Sequence, residues 1–344
     1  MGISEIVDFS RLGVFVLWVV LEMYVSNNIG TIGSNFNSKI TQVDSIGPDS
    51  WINLYGPTEN EINEVVQTLG IPSEFIRYPL DEEERPRVDF DDDTGDVLVI
   101  VDIPYTNREN NVVKYETLPL GIIIAERNII TVSLRKVPIL DAFIENRIKE
   151  CVVAYKSRFT IQILYAVAKD YLRLLRYMDK SLDEAEAGLS KSISNKDLYK
   201  LHEWSKSLIY FNTSLKSNEA VLEKLMRGKK LKQYEEDEDL LEDVLIEYKQ
   251  AHEMADIYSS VVKNSIDAYS SIISNNMNDV MKLLASVTIV LTVPNIFTSF
   301  FGQNVLFPWD AGFSSAPWPF IILTAVCVLS MVISFIYLKK KDWL

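Results

Sequence analysis

Hydrophobic residues are concentrated at the C-terminal end of the chain, in two segments at Leu283–Phe301 and Trp318–Leu338. Each segment has about the 20 residues that an α-helix needs to cross the core of a bilayer. Between Leu283 and Leu338 the only charged residue is Asp310, and the connecting loop is rich in Gly, Pro, Ser and Asn. The pattern predicts a hairpin of two transmembrane helices behind a large polar portion.

A stripe of small and polar residues follows one face of the first predicted span. Its members are spaced alternately by three and four residues, as on one face of a helix, and they are Asn278, Met281, Ala285, Thr288, Thr292, Asn295, Ser299 and Gly302. Polar groups in lipid need a partner helix or water. The stripe therefore indicates either a close helix–helix interface or one wall of a water-filled pore. Two spans cannot enclose a pore, so the second alternative requires an oligomer.

A heptad pattern precedes the first span. Apolar residues recur at intervals of seven at Leu241, Tyr248, Ala255, Val262 and Tyr269, and Leu245, Ile266 and Ile273 occupy the matching offset. Neither Pro nor Gly occurs between Glu235 and Pro294. We expect one helix over about 236–301, on the order of 100 Å long at ~1.5 Å per residue. A helix that kept the same inward face into the membrane would favour the pore over the packing interface.

The residues before the heptads predict an α+β domain with its sheet first and its helices after. Thr58 and Glu61 form a capping box, and the segment 91–95 predicts a hairpin turn. The predicted helices are Glu59–Leu69, Ser73–Tyr78, Ile139–Lys149, Arg158–Ser190 and Lys196–Arg227. The predicted strands are Lys39–Thr41, Trp51–Leu54, Arg87–Phe90, Asp96–Pro104 with its core at Val97–Ile103, Val112–Leu120, Gly121–Ala125 and Asn128–Leu134.

The domain organisation follows from these patterns. Residues 1–22 contain an apolar run of ten that is too short for a comfortable span, and we interpret them as an extension, with the ordinary chain beginning near Met23. The remaining divisions are a cytoplasmic α/β domain at 23–235, a stalk helix at 236–281, a first span at 282–301, an external loop at 302–317, a second span at 318–338 and a basic tail at 339–344.

Composition narrows the function. The formal net charge is −14, which argues against nucleic acid as a partner. The two cysteines and two histidines are scattered, and we find no phosphate-binding loop and no catalytic triad spacing, so an enzyme is not expected. The acidic segment 80–97 is interpreted as a solvated loop rather than a cation site.

Charge also predicts the topology. Lys339, Lys340 and Lys341 follow the second span directly, whereas the loop 302–317 contains no Lys or Arg. The positive-inside rule then places both termini in the cytoplasm and the loop outside the cell. We expect the protein to lie in the plasma membrane.

Specific motifs stand at both ends of the hairpin. They are Phe301-Gly302-Gln303-Asn304 after the first span, the tail Lys339-Lys340-Lys341-Asp342-Trp343-Leu344, and Asn278-Asp279-Val280-Met281-Lys282 at the entry to the span. In these motifs the chain resembles the CorA family of magnesium transport proteins. Weaker likenesses occur in the soluble part at Trp51-Ile52-Asn53, Pro57-Thr58-Glu59, Leu80-Asp81 and Glu84-Arg85-Pro86-Arg87-Val88-Asp89.

The resemblance implies a funnel-shaped homopentamer whose first spans line a pore for Mg²⁺. The pore-lining positions would be Asn278, Met281, Leu284, Thr288, Thr292, Asn295 and Ser299, with Met281 and Leu284 as an apolar constriction. Gly302, Gln303 and Asn304 occupy the family's Gly-Met-Asn signature, with Gln303 in place of Met. Lys339, Lys340 and Lys341 would form a basic ring.

The resemblance also implies regulation by cytoplasmic Mg²⁺ bound between neighbouring domains. Asp243 matches one acidic partner of that site, while Arg77-Tyr78 replace the opposing acidic pair and Asp81 and Glu82 lie nearby. Two alternatives stay open. The same fold could carry zinc, cobalt or nickel, although no Cys or His lies on the stripe. The stripe could instead be a packing face in a non-conducting structural or sensor protein.

Overall fold

The computed structural model describes residues 20–29, 37–109, 112–148, 151–189, 195–228, 235–302, 318–341 and 343. The chain divides into two compact units, Met1–Lys263 and Asn264–Leu344. The first unit contains a mixed sheet and most of the helices. The second contains the two apolar helical segments.

A seven-stranded sheet organises the first unit, with strand order β2-β1-β3-β7-β6-β5-β4. Only β3 and β7 pair in parallel; the other neighbours are antiparallel. The strands are β1 Val20–Ile29, β2 Asn37–Gln42, β3 Ser50–Tyr55, β4 Arg87–Phe90, β5 Val97–Glu109, β6 Val112–Ile124 and β7 Ile129–Ser133.

Both faces of the central strands are buried, because helices cover each side. On β3, Ile52 and Leu54 point into a core shared with α1 (Glu59–Leu69) and α2 (Ser73–Arg77). The opposite face carries Trp51, which packs edge-on against Phe159 with ring centroids 5.1 Å apart. The sheet is therefore a middle layer between two groups of helices.

The predicted capping box of α1 is confirmed. Glu61 N–H donates to the Thr58 hydroxyl at 3.4 Å, and Thr58 N–H donates to the Glu61 carboxylate at 2.8 Å. The helix ends at Gly70, which adopts a left-handed conformation with φ of 70°. The hairpin turn predicted at 91–95 is also confirmed between β4 and β5.

Two elements differ clearly from the prediction. The two strands expected at Val112–Leu120 and Gly121–Ala125 form one strand, β6, because Gly121 pairs with residues on both neighbouring strands. The helix expected at Ile139–Lys149 is the shorter α3 (Pro138–Ile144). Just beyond it, Asn146 has φ of 56° and its side-chain amide bonds to the backbone of Ile40, at 2.5 Å from N and 3.0 Å from O.

Strand β1 was not predicted. It begins at Val20 and pairs with both β2 and β3, so the end of the segment interpreted as an extension lies within the sheet. Residues 1–19, which contain most of that extension, lie outside the described residues.

Three long helices follow α3: α4 Lys156–Leu189, α5 Asn195–Arg227 and α6 Glu235–Phe301. Two ion pairs join α4 to α6, Arg158–Glu236 at 3.2 Å and Lys169–Glu247 at 2.6 Å. Both pairs join residues 78 positions apart in the chain. The two helices therefore run parallel at this level.

The single long helix is confirmed, and its first heptad positions are buried where the polar stripe is exposed. The heptad positions Leu241, Tyr248, Ala255 and Val262 are already buried in the single chain, at 2 % exposure or less. They pack within the chain's own first unit rather than forming a seam reserved for other subunits. Tyr269, at 7 % exposure, lies nine residues before Asn278, which is about half a turn away around the helix. Ile273, by contrast, lies eleven residues before Leu284 and only about 20° away around the helix, so the heptads and the polar stripe overlap in part.

The second unit contains the end of α6 and α7 (Trp318–Lys340). Within the described residues, these are the two helices that contain stretches long and apolar enough to cross a membrane. Pro294 lies inside α6, where it lacks the N–H that would bond to the carbonyl of Val290. The helix nevertheless continues to Phe301.

Candidate functional site

The candidate site lies on the apolar, C-terminal segment of α6. One face of this segment packs against α7, and the predicted polar stripe occupies another face. The contacting face of α6 is less exposed than its surroundings and comprises Ser286, Val290, Val293, Pro294 and Phe297. On α7 the corresponding face comprises Leu323, Cys327, Ser330, Ser334 and Leu338. The Cys327 thiol donates a weak hydrogen bond to the Pro294 carbonyl oxygen at 3.8 Å, so the two faces are in contact at this point.

The predicted polar stripe lies on the other side of α6. At 3.6 residues per turn its centre is about 160° from the face that contacts α7. Every predicted pore-lining residue is exposed in the single chain: Asn278, Met281, Leu284, Thr288, Thr292, Asn295 and Ser299. The second helix of the hairpin therefore does not satisfy the polar groups of the stripe.

The stripe threonines bond to their own helix. The Thr288 hydroxyl donates to the Leu284 carbonyl oxygen at 2.8 Å, and the Thr292 hydroxyl donates to the Thr288 carbonyl oxygen at 2.6 Å. Since the single proton of each hydroxyl is used within the helix, each oxygen remains an acceptor. Such oxygens suit a hydrated cation, whose water molecules present protons outward.

The two ends of the stripe differ in chemistry. At the end nearer Asn278, Met281 and Leu284 are apolar and are exposed at 56 % and 58 %. At the upper end Gly302 N–H donates to the Thr298 carbonyl oxygen at 3.0 Å, and a Cβ on Gly302 would lie 3.2 Å from that oxygen. Gln303 and Asn304 lie outside the described residues.

The basic tail returns to α6. The backbone turns after Leu338, whose carbonyl oxygen accepts from Lys341 N–H at 3.1 Å and Trp343 N–H at 3.2 Å. The fully buried Ser286 donates its hydroxyl to the Trp343 carbonyl oxygen at 3.1 Å. We did not predict this contact, although the spacing of Ser286, Val290, Val293 and Phe297 marks a second helical face in the sequence.

The candidate regulatory residue Asp243 is exposed on α6. The residues expected to oppose it have other partners: Arg77 forms an ion pair with Glu59 at 2.6 Å, and Arg87 stacks over the ring of Tyr78 at 4.6 Å. Among the described residues, no group of three or more His, Cys, Asp or Glu side chains converges as metal ligands. The described residues of one chain thus do not assemble the site that the resemblance implies.

The acidic segment 80–97 forms the turn that was expected. Asp91 accepts from the backbone N–H of Asp93 at 2.8 Å and of Thr94 at 2.9 Å, while Asp93 is exposed. Asp96 is buried, and that burial raises the pKa of its carboxyl. These contacts are those of a turn.

The chain combines an α+β domain, a long helix and two apolar helical segments, one of which carries an exposed polar stripe. This combination is typical of a class of membrane transport protein. A family model described as CorA-like Mg²⁺ transporter protein matches residues 50–340, and the chain belongs to that family. Its members are transporters or channels, not enzymes.

Individual relatives agree with this assignment. The cobalt/magnesium transport protein CorA of Methanocaldococcus jannaschii is 26 % identical over 303 residues, covering 86 % of this chain and 91 % of that protein. The complete structure of the CorA magnesium transporter from the same organism superposes with a TM-score of 0.76 at 24 % identity, covering 95 % of this chain and 100 % of the other. The full-length CmaX protein superposes with a TM-score of 0.62 at 16 % identity, covering 93 % and 98 %. The expected fold class, an α+β domain with a long helix and a C-terminal hairpin, is confirmed.

Proposed function

We propose that the chain assembles into a homopentamer that conducts Mg²⁺ across the cell membrane into the cell. The observation that carries this proposal is the position of the polar stripe. It is exposed on the side of α6 away from α7, so the hairpin leaves these groups for other subunits or for water. Five copies of α6 would turn their stripes toward a common axis.

The chemistry of the stripe supports a hard cation. Its polar members Asn278, Thr288, Thr292, Asn295 and Ser299 offer only amide and hydroxyl groups. Mg²⁺ prefers oxygen ligands and retains its water, whereas softer metals prefer imidazole and thiolate. Met281 and Leu284 would close the pore by excluding water, and Gly302, Gln303 and Asn304 would form the outer entrance. The lysines of the tail would then be cytoplasmic, together with both termini.

Ion flux into proteoliposomes tests this proposal directly. We expect Mg²⁺ entry through the wild-type protein and at least a tenfold loss with Asn278→Ala, because a polar group of the stripe is removed. Asn276→Ala is the matched control, since Asn276 lies two residues away on another face of the helix. Purified pentamers that conduct no divalent cation would contradict the channel and favour the structural alternative.

Cobalt is the second candidate, because the curated relative is named as a cobalt/magnesium transport protein. Comparison of Mg²⁺, Co²⁺, Ni²⁺ and Zn²⁺ flux decides the preference. Gln303→Met restores the family signature, and we expect it to change the ratio of these fluxes more than it changes assembly. Equal ratios before and after the substitution would remove Gln303 from the selectivity site.

Cytoplasmic Mg²⁺ would close the channel through a site shared by neighbouring subunits, with Asp243 as one ligand. The exposure of Asp243 leaves it accessible to a second chain. We expect Asp243→Asn to raise the Mg²⁺ concentration needed for closure, while Glu242→Gln, an adjacent exposed carboxylate, leaves it unchanged.

A further inference from the structure

One side-chain hydrogen bond ties the C-terminal tail to the first apolar segment. The Ser286 hydroxyl on α6 donates to the backbone carbonyl oxygen of Trp343 at 3.1 Å. The tail reaches this point by turning back after Leu338, whose carbonyl oxygen accepts from the N–H groups of Lys341 and Trp343. We refer to the contact between Ser286 and Trp343 as the tail clasp.

The tail clasp lies where α6 enters the hairpin. Ser286 is completely buried, and it is the first buried residue of α6 after Tyr269. One turn before it, Lys282 and Leu283 are exposed. The cover that α7 and the tail give to α6 therefore begins at Ser286, and the clasp holds α6 at the edge of that cover.

The two apolar residues of the predicted constriction lie at nearly the same level. Leu284 is two positions before Ser286 and Met281 is five, which is about 3 Å and about 7.5 Å along the helix axis. Trp343 lines one groove together with Met281 and Ala285. The tail thus flanks the constriction segment, while Met281 and Leu284 remain exposed with the tail in place.

The hydroxyl of Ser286 is used differently from those of the stripe. Thr288 and Thr292 donate their protons to carbonyl oxygens of their own helix. Ser286 instead donates outside its helix, to a backbone oxygen of the tail. A buried polar group that loses its partner is costly, so this bond resists separation of the tail from α6.

We propose that Ser286 is a positioning residue for the constriction. Through the tail clasp it holds α6 so that Met281 and Leu284 of neighbouring subunits meet as an apolar ring, and the proposal therefore rests on the proposed channel function. Ser286 is about 140° from Met281 and about 160° from Leu284 around the helix. It acts from behind the pore wall and leaves the polar stripe free to face the axis.

Acrylamide quenching of Trp343 tests the tail clasp in the full chain. The contribution of this residue is the difference between each protein and the same protein with Trp343→Phe, which keeps the backbone acceptor. Trp343 is 41 % exposed. We expect Ser286→Ala to raise its quenching constant about twofold, because a released tail opens to solvent. Ser330→Ala is the matched control, since that hydroxyl bonds within α7 to the Cys327 carbonyl oxygen, and it should leave the constant unchanged.

Closure of the channel in proteoliposomes tests whether the clasp positions the constriction. With Ser286→Ala we expect half-closure to need about fivefold more cytoplasmic Mg²⁺, the change that loss of one typical hydrogen bond produces. The ratio of Mg²⁺ to Co²⁺ flux should stay the same, because the substitution leaves the stripe intact. A purely structural role would lower the melting temperature without moving the closure concentration. Ser330→Ala should not move that concentration.

Two results would overturn this proposal alone. An unchanged quenching constant of Trp343 in Ser286→Ala would show that Ser286 does not hold the tail. A raised constant with the wild-type closure concentration would show that the clasp holds the tail without positioning the constriction. A wild-type protein that conducts no divalent cation would instead overturn the proposed function, and this proposal with it, so the two failures are told apart by the wild-type flux.

Discussion

The hydroxyl of Ser214 on α5 donates a hydrogen bond to the carboxylate of Asp102 on β5, with 2.6 Å between the oxygens. The backbone of Asp102 exchanges two hydrogen bonds with the side chain of Asn218, at 2.8 Å and 2.7 Å. Its carbonyl oxygen also accepts from the Tyr171 hydroxyl on α4 at 3.1 Å. One residue of the sheet is thus tied to two of the long helices. Burial raises the pKa of the Asp102 carboxyl, and the bond from Ser214 opposes that shift.

Asp102→Asn should therefore change how stability depends on pH. Because the folded protein raises this pKa above the unfolded value of about 3.9, wild-type stability is greatest below that value and falls as pH rises through the folded pKa. Asn cannot ionise and does not show this loss. We expect the melting temperature of the variant, relative to wild type, to be a few degrees higher at pH 7 than at pH 4, at about 2–4 °C per kcal/mol for a domain of this size.

Ser214→Ala should change the pH dependence of stability in the opposite direction. It removes the donor that stabilises the charged carboxylate, so its destabilisation should be greater at pH 7 than at pH 4, by about 1–3 kcal/mol where Asp102 is ionised. Thermal unfolding of the full chain in detergent measures both variants. Parallel melting curves for wild type and Asp102→Asn across this range would contradict a buried, titrating Asp102.

Tyr248→Phe should not weaken the protein. Tyr248 is fully buried on α6, and its hydroxyl has no hydrogen-bond partner among the described residues. Removing a buried polar group without a partner is neutral or stabilising, by up to about 1–2 kcal/mol. The matched control is Tyr171→Phe, which loses the bond to Asp102 and should cost about 1 kcal/mol. Chemical unfolding compares them, and a clear loss of stability in Tyr248→Phe would show that its hydroxyl has a partner.

Gly121→Ala should be strongly destabilising. A Cβ at this position in β6 would collide with Pro79 Cγ, in the short turn of 3-10 helix at Tyr78–Leu80 that packs on the sheet. Since Pro79 is buried and rigid, the strand or the turn must move, at a cost of about 1–3 kcal/mol or more. At Gly47, where nothing lies within 4 Å of the added Cβ, the same substitution should be nearly neutral. Similar unfolding midpoints for the two variants would refute the close approach at Gly121.

Local signals in the sequence predicted most of the fold. The capping box at Thr58 and Glu61 predicted where α1 begins and which two residues bond there, because these residues are only three positions apart. Gly121 misled the prediction for the opposite reason. A glycine between apolar runs usually marks a turn, whereas here it permits a contact with Pro79, which is 42 positions earlier in the sequence. Such a contact leaves no local pattern.

The candidate site was only partly predictable. The spacing of the stripe showed that Thr288 and Thr292 share a helical face, but not which way that face points relative to α7. The heptads predicted an inward face that continues into the membrane, whereas residues such as Tyr248 are buried within the chain itself. Periodicity identifies a face that packs, and it does not identify the element that covers it. The contact between Ser286 and Trp343 joins residues 57 positions apart and required the structure.

Thr292→Val tests whether the stripe is used as a pore wall. Val has nearly the shape of Thr but lacks the hydroxyl, whose proton bonds to the Thr288 carbonyl oxygen and whose oxygen remains exposed. If cations pass this surface with their water, losing the oxygen from every subunit should lower Mg²⁺ flux by about tenfold, equivalent to about 1.4 kcal/mol in the barrier. Ser330→Ala removes a comparable hydroxyl from the face of α7 that packs on α6, where it bonds to the Cys327 carbonyl oxygen at 2.8 Å, and should leave the flux unchanged. Flux into proteoliposomes at matched protein density measures both, and an equal response of the two variants would mean that the stripe only packs against other helices.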